Sequence, residues 1–204
     1  TDVTADALDR SVAHGLLRAT GEGALCFAHA MVRETILADL PDLQRRRVHA
    51  RLADASSPGL SRAQHLLEGR PFTDGAQAVA AATDAGDALA SGLAHEAAAA
   101  WFERAGAVLA DETALDPAGA RRAHLALSGG VASSAAGNHP AALRSLTEAI
   151  ELGLRSGDLE VAAAAAGALG RTGGLWLWVP YGSYPGELLD LLHRLLDALG
   201  PPPS

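Results

Sequence analysis

The stretch AGDALASGLAHEAAAAWFERA, residues 85–105, decides the fold of this chain. Small residues recur along it, and the bulky Phe102 comes sixteen positions after Gly86. Small side chains let two helices approach closely, and a bulky side chain fills the space between them. The stretch therefore predicts two helices that pack together and are joined by a turn near Gly92. The positions that match this pattern, counted from Gly86, are Leu89, Ala98, Phe102 and Ala105.

The same offsets recur when counting starts from Gly130, in the stretch GVASSAAGNHPAALRSLTEA at residues 130–149. Here Gly137 lies in the expected turn. A fixed spacing that repeats along a chain is typical of helical-repeat architectures. The positions that match the first unit are Ser133, Ala142, Leu146 and Ala149.

A third, weaker unit begins near Leu159, with Ala166 and Gly167 as its small pair. Its second helix is predicted over residues 186–199. These spacings are tetratricopeptide-like, although the units lie further apart than in the usual repeat. The fold class predicted is therefore mainly α, with an array of antiparallel helical hairpins over residues 75–204.

The first part of the chain has a different pattern. Helical periodicity runs from Thr4 or Asp6 to about Ala13, and two short apolar runs then flank a glycine-rich turn at residues 21–23. This pattern predicts a helix followed by a β-hairpin. That order is found at the end of a winged-helix domain, so residues 1–40 are interpreted as its C-terminal part. Residues 41–74 are predicted to be linker helices.

Composition excludes several classes of function. The 204 residues carry a net charge of −8, and all 16 basic residues are arginine. Without lysine the chain cannot contain a P-loop, whose lysine contacts the nucleotide phosphates, nor can it form a lysine Schiff base. The acidic balance argues against broad contact with a nucleic-acid backbone, which needs a basic face.

The compartment and the ends of the chain also carry expectations. Cys26 is the single cysteine, so no internal disulfide can form, and a reducing cytoplasm is the expected localisation. No apolar run is long enough for a transmembrane helix, and no membrane partner is expected. The chain starts at Thr1 rather than at methionine, and we interpret it as an interior piece of a longer protein.

Catalytic and metal sites are not indicated by the motifs. The histidines are spread along the chain without an HExxH pattern or paired cysteines, so neither a metal nor a cofactor site is expected within this chain. No serine lies in a GxSxG pattern, and Cys26 is expected to be buried and inert. The chain is therefore expected not to be an enzyme.

Two clusters invite a binding interpretation. Residues 45–47 are three consecutive arginines, but neighbouring aspartates are expected to dilute their charge, which favours a solvated face or an interdomain contact over contact with DNA. A loop rich in aromatic residues precedes the last helix. It can bind a ligand or a partner, or it can cover the end of a helical layer. Its aromatic side chains are Trp176, Trp178, Tyr181 and Tyr184.

The string FAHAMVRE, residues 27–34, lies where the predicted hairpin gives way to a helix. His29 is thus at a helix N-terminus, where amide groups and the helix dipole favour an anion. With the helices that follow, this string resembles the junction between winged helix and helical repeats in the LuxR-type (MalT-like) ATP-dependent transcription regulators. These regulators belong to the STAND ATPases.

The resemblance implies that His29 contacts the β-phosphate of bound ADP in the intact protein, although the family's Met-His-Asp string is replaced here by Phe-Ala-His-Ala. It also implies that ATP or ADP is bound by an ATPase domain outside this chain, and that DNA is bound by another domain. The expected partners of the chain are those two domains, a protein or small-molecule inducer, and a second copy of itself.

Two alternatives stay open. His29 can instead cap its helix or pack on Phe27. The whole chain can instead be a stand-alone tetratricopeptide-like adaptor that binds a peptide and has no connection with an ATPase. A separate DNA-binding role for the winged-helix part is the weakest interpretation, because the chain is acidic.

Overall fold

The computed structural model describes residues 3–21, 24–171 and 185–200. In these residues the fold is mainly α, as predicted, with ten α-helices and one two-stranded antiparallel sheet. None of the described helices combines the length and the apolar character that crossing a membrane requires. The chain divides into two compact units, residues 1–48 and residues 49–204, and the helix that contains the boundary contributes to both.

The first unit contains short elements. Its elements are α1 (Val3–Ala13), β1 (Leu17–Ala19), β2 (Leu25–Phe27), α2 (Ala30–Asp39) and the first half of α3 (Asp42–Ala55). In the predicted hairpin, β1 and β2 pair antiparallel with Arg18 opposite Cys26. Cys26 is half-buried rather than buried as expected, because a two-stranded sheet of this size leaves its strands open to solvent. Its sulfur accepts a hydrogen bond of 3.1 Å from Nε of Arg18.

The second unit is a succession of longer helices. After the second half of α3 come α4 (Leu60–Glu68), α5 (Gly75–Ser91), α6 (His95–Asp111), α7 (Ala120–Ala135), α8 (His139–Ser156), α9 (Leu159–Arg171) and α10 (Gly186–Leu199). A 3₁₀ turn, Thr113–Leu115, lies between α6 and α7. From α4 to α9 each helix packs against the next, and α10 packs against both α8 and α9.

In each of the first two predicted repeat units, the glycine and the bulky residue are in contact. A methyl group placed on Gly86 would lie 2.7 Å from Cε1 of Phe102, and one on Gly130 would lie 2.6 Å from Cγ of Leu146. Gly75, at the start of α5, lies against Glu112 just past the end of α6. The pair α5–α6 is therefore antiparallel, and the repeated spacing between glycine and bulky residue is confirmed in both of these repeat units.

Alanine dominates the interior of the second unit. One core joins α5, α6 and α7 around Phe102, and another joins α8, α9 and α10 around Leu146 and Ile150. Helices in contact through alanine lie close together, since no long side chain separates them. The alanines with no exposed surface are Ala53, Ala63, Ala78, Ala82, Ala98, Ala105, Ala123, Ala142, Ala149, Ala162 and Ala165.

The first unit has no comparable interior. Among its described side chains none is buried. Nine large apolar side chains are each at least 37% exposed, and Met31 is 77% exposed. These nine side chains, which we call the exposed apolar set, are Leu8, Val12, Leu16, Leu25, Phe27, Met31, Ile36, Leu43 and Val48.

The turns within the first two repeat units, α5–α6 and α7–α8, differ at equivalent positions. Gly137, between α7 and α8, has φ +77°, and Leu93, at the matching place between α5 and α6, has φ +62°. The next residue, Asn138, caps α8 by accepting a hydrogen bond of 3.2 Å from the amide of Ala141, whereas Ala94 gives α6 no side-chain cap. The first turn is therefore built with less favourable residues than the second.

We expect Leu93→Gly to raise the free energy of unfolding by about 1 kcal/mol, because a side chain costs energy at positive φ. Leu93 is 77% exposed, so little burial is lost. Urea unfolding followed by circular dichroism measures the change. Leu93→Ala is the control, since it keeps a Cβ at the same φ. An equal gain from alanine would show that backbone strain is not the cause.

Candidate functional site

His29 is the residue immediately before α2. Its backbone is extended, with φ −136° and ψ 141°, and its carbonyl accepts bonds from the amides of Val32 and Arg33. The imidazole is exposed and makes no capping hydrogen bond, so the capping alternative is not supported. No acidic residue occupies the first turn of α2, and the positive end of the helix is left without a neighbouring carboxylate there.

The arginine cluster of α3 is partly neutralised within its own helix. Asp42 accepts a hydrogen bond of 2.6 Å from Nε of Arg46 and another from the guanidinium of Arg45. The Arg46 hydrogen bond, followed by the charges of both arginines, holds the pKa of the Asp42 carboxyl below its usual value. The expected dilution by a neighbouring aspartate is confirmed at this position.

A groove of about 530 Å³ lies in the second unit, with α6 and α8 as its walls and α7 as its floor. Nine of its nineteen lining residues are alanine or glycine, including Ala99, Gly106 and Ala107 on α6 and Gly129 on α7. The small side chains explain why space remains between three helices that are otherwise closely packed. We call this cavity the α6–α8 groove.

Charged side chains line the α6–α8 groove on both walls. Glu96 and Glu103 lie on α6, are exposed, and make no ion pair with any described residue. On the opposite side, Nε of Arg122 donates to Oε1 of Glu148 at 2.8 Å. Arg144 donates to the carbonyl of Pro140 within its own helix at 3.2 Å.

The α6 wall therefore has two carboxylates without an ion-pair partner among the described residues, whereas Glu148, the carboxylate that lines the groove from α8, is paired with Arg122. A groove of this kind can select a ligand by charge as well as by shape. The groove was not predicted from the sequence, because helical spacing indicates the buried face of each helix and not the faces that stay uncovered. The available signal was a second stripe of small residues on α6 at positions 99, 100, 106, 107 and 110.

The other predicted residues are dispersed. His95 and His139 are each the first residue of a helix, at equivalent places in the first two repeat units. His49 and His65 lie with their Nδ1 atoms 3.0 Å apart between α3 and α4. In the described parts of the chain, no three histidine, cysteine or acidic side chains group in a way that could hold a metal ion.

The aromatic cluster near the last helix was the second predicted binding site. Trp176, Trp178, Tyr181 and Tyr184 lie outside the described residues. Their role as a ligand site or a cover stays a prediction.

Comparison of the chain with protein-family models, with curated proteins and with solved structures gives no match.

Proposed function

We propose that this chain is the regulatory and scaffolding segment of a bacterial ATP-dependent transcription regulator of the LuxR type. In this proposal the helical array of residues 75–204 is tetratricopeptide-like and receives a partner or ligand. Residues 1–40 are the end of a winged-helix domain, and residues 41–74 link the two. The nucleotide is held by an ATPase domain that the chain itself does not contain.

The observation that carries the proposal is the exposed apolar set. A unit of 48 residues in which no described side chain is buried has little hydrophobic stabilisation of its own. Nine exposed large apolar side chains in so small a unit favour a surface that another domain or chain covers. The hairpin that follows α1 is consistent with a winged helix completed by residues outside this chain.

His29 supports the nucleotide part of the proposal. An exposed imidazole beside the first-turn amides of α2 can donate to a phosphate oxygen, and the helix N-terminus adds further attraction for an anion. Binding of a partner to the array would favour one state of the intact protein and so change how firmly ADP is retained. This coupling is regulatory and requires no catalytic residue in the chain.

In the intact protein we expect His29→Ala to speed the release of ADP about tenfold or more, because one charge-assisted hydrogen bond to phosphate is lost. Release of a fluorescent ADP analogue in stopped flow measures the rate. His14→Ala is the matched control, since His14 is also exposed and lies in the same unit. Equal release rates for all three proteins would remove His29 from nucleotide binding.

The α6–α8 groove favours the second candidate function, a stand-alone adaptor that binds a peptide. The two candidates differ in what surrounds the chain. A P-loop of the form GxxxxGK[ST] encoded upstream in the same reading frame supports the regulator. An intact protein that binds a peptide, holds no nucleotide and has no such motif supports the adaptor.

A further inference from the structure

We infer that the α6–α8 groove binds a basic peptide segment of a partner protein, with two arginine or lysine side chains three residues apart. The inference rests on the proposed role of the helical array as the partner-binding surface. It adds the chemistry of the partner, which neither the repeat spacing nor the resemblance supplies.

The shape of the groove suits long side chains with aliphatic stems. Its volume of about 530 Å³ lies within the range of about 300–1,000 Å³ that is common for ligand sites. The α6 wall presents the exposed methyl group of Ala100 between its two glutamates and that of Ala107 one turn beyond Glu103. Arginine and lysine bury their methylene stems on such apolar surface while the charged group reaches a carboxylate.

The spacing of the two open carboxylates fixes the spacing of the cations. Glu96 and Glu103 are seven residues apart on one helix, which places them about 10.5 Å apart along its axis. In a peptide segment with polyproline II conformation, which has three residues per turn, residues three apart lie on the same face and are separated by about 9.3 Å. A basic residue, two intervening residues and a second basic residue therefore match the two carboxylates.

The opposite wall gives the peptide its orientation. Glu148 is paired with Arg122, so it does not compete with the α6 glutamates for the incoming cations. Arg144 repels basic side chains from α8 and can pair with the peptide's backbone carbonyls. An acidic peptide would meet the reverse arrangement, with two repulsive carboxylates on α6.

The test uses the 204-residue chain and a fluorescein-labelled peptide, Ala-Ala-Arg-Ala-Ala-Arg-Ala-Ala, with fluorescence polarisation as the readout. We expect saturable binding, which weakens about fivefold in the double variant Glu96→Gln/Glu103→Gln. Glu151→Gln/Glu160→Gln is the matched control, because it removes two exposed carboxylates outside the groove. The control should change the dissociation constant less than twofold.

Three outcomes would overturn the inference. These are equal weakening in both double variants, equal binding of a peptide with glutamate in place of arginine, and no saturation below about 1 mM. Ala107→Trp gives a further check, because residue 107 is exposed and a tryptophan there should fill the groove and abolish binding. Unchanged binding by that variant, with an unchanged circular dichroism spectrum, would place the peptide elsewhere. A negative result would leave the ADP measurement at His29 unaffected, since that experiment does not involve the groove.

Discussion

Phe102→Ala should lower the free energy of unfolding by about 4 kcal/mol, the largest loss expected for a single substitution in this chain. Phe102 is only 3% exposed, and its ring lies against Gly86 of α5. Its Cβ is 3.4 Å from the position that a methyl group on Gly129 of α7 would take. Three helices therefore meet at one side chain, and its removal leaves a cavity that none of them can fill without moving.

Urea unfolding followed by far-ultraviolet circular dichroism measures this loss. Leu196→Ala is the matched control, because Leu196 is 62% exposed and its truncation should change the stability by about 0.5 kcal/mol or less. A loss below about 1 kcal/mol for Phe102→Ala would mean that α5, α6 and α7 do not share a packed core.

Gly130→Ala should destabilise the protein by about 1–3 kcal/mol, although alanine is the better helix former. The new methyl group would lie 2.6 Å from Cγ of Leu146, and Leu146 has no exposed surface through which it could move away. Leu146→Ala alone should cost about 3 kcal/mol by leaving a cavity. In the double variant the new methyl group occupies part of that cavity, so the combined loss should be about 1–3 kcal/mol smaller than the sum.

Gly106→Ala is the control for the Gly130 experiment. Gly106 also lies inside a helix, but a methyl group there would meet nothing within 4 Å. This substitution should stabilise the protein by about 0.5–1 kcal/mol, because it only reduces the freedom of the unfolded chain. A similar gain from Gly130→Ala, or strict additivity with Leu146→Ala, would contradict the close contact between α7 and α8.

Much of the secondary structure could be predicted because its signals are local. The bounds of α2 and α3 follow from Pro41, which separates them, and from the apolar spacing within each helix. The contact between Gly86 and Phe102 could be predicted since a fixed offset across a short turn determines which residues face each other.

The third repeat unit, predicted to begin near Leu159, does not show the contact that was expected at its small pair. Gly167, predicted as part of its small pair, is half-buried and has only Arg171 near the position of an added methyl group. The close approach is made instead by Gly153 of α8 against Ala162 of α9. In an alanine-rich helix many faces are equally suitable for packing, so the face that is buried depends on the neighbouring helices and not on the sequence of the helix alone.

The candidate site was predicted less completely than the fold. His29 was located from its sequence position at the start of α2, and the structure places it there with an exposed side chain. The α6–α8 groove was not predicted, because it depends on which faces of α6, α7 and α8 stay uncovered after packing. That property arises only when all three helices are present together.

The alanine interior has a mechanical consequence. The side chains of the fully buried alanines, such as Ala98, Ala105, Ala142 and Ala149, have no torsion angle that could switch between alternatives. The helix contacts that these alanines make therefore cannot change shape by exchanging rotamers. A partner that alters the array must slide or tilt whole helices against one another. A change caused by a partner at one end of the array would therefore reach the other end as small rigid-body displacements of the helices.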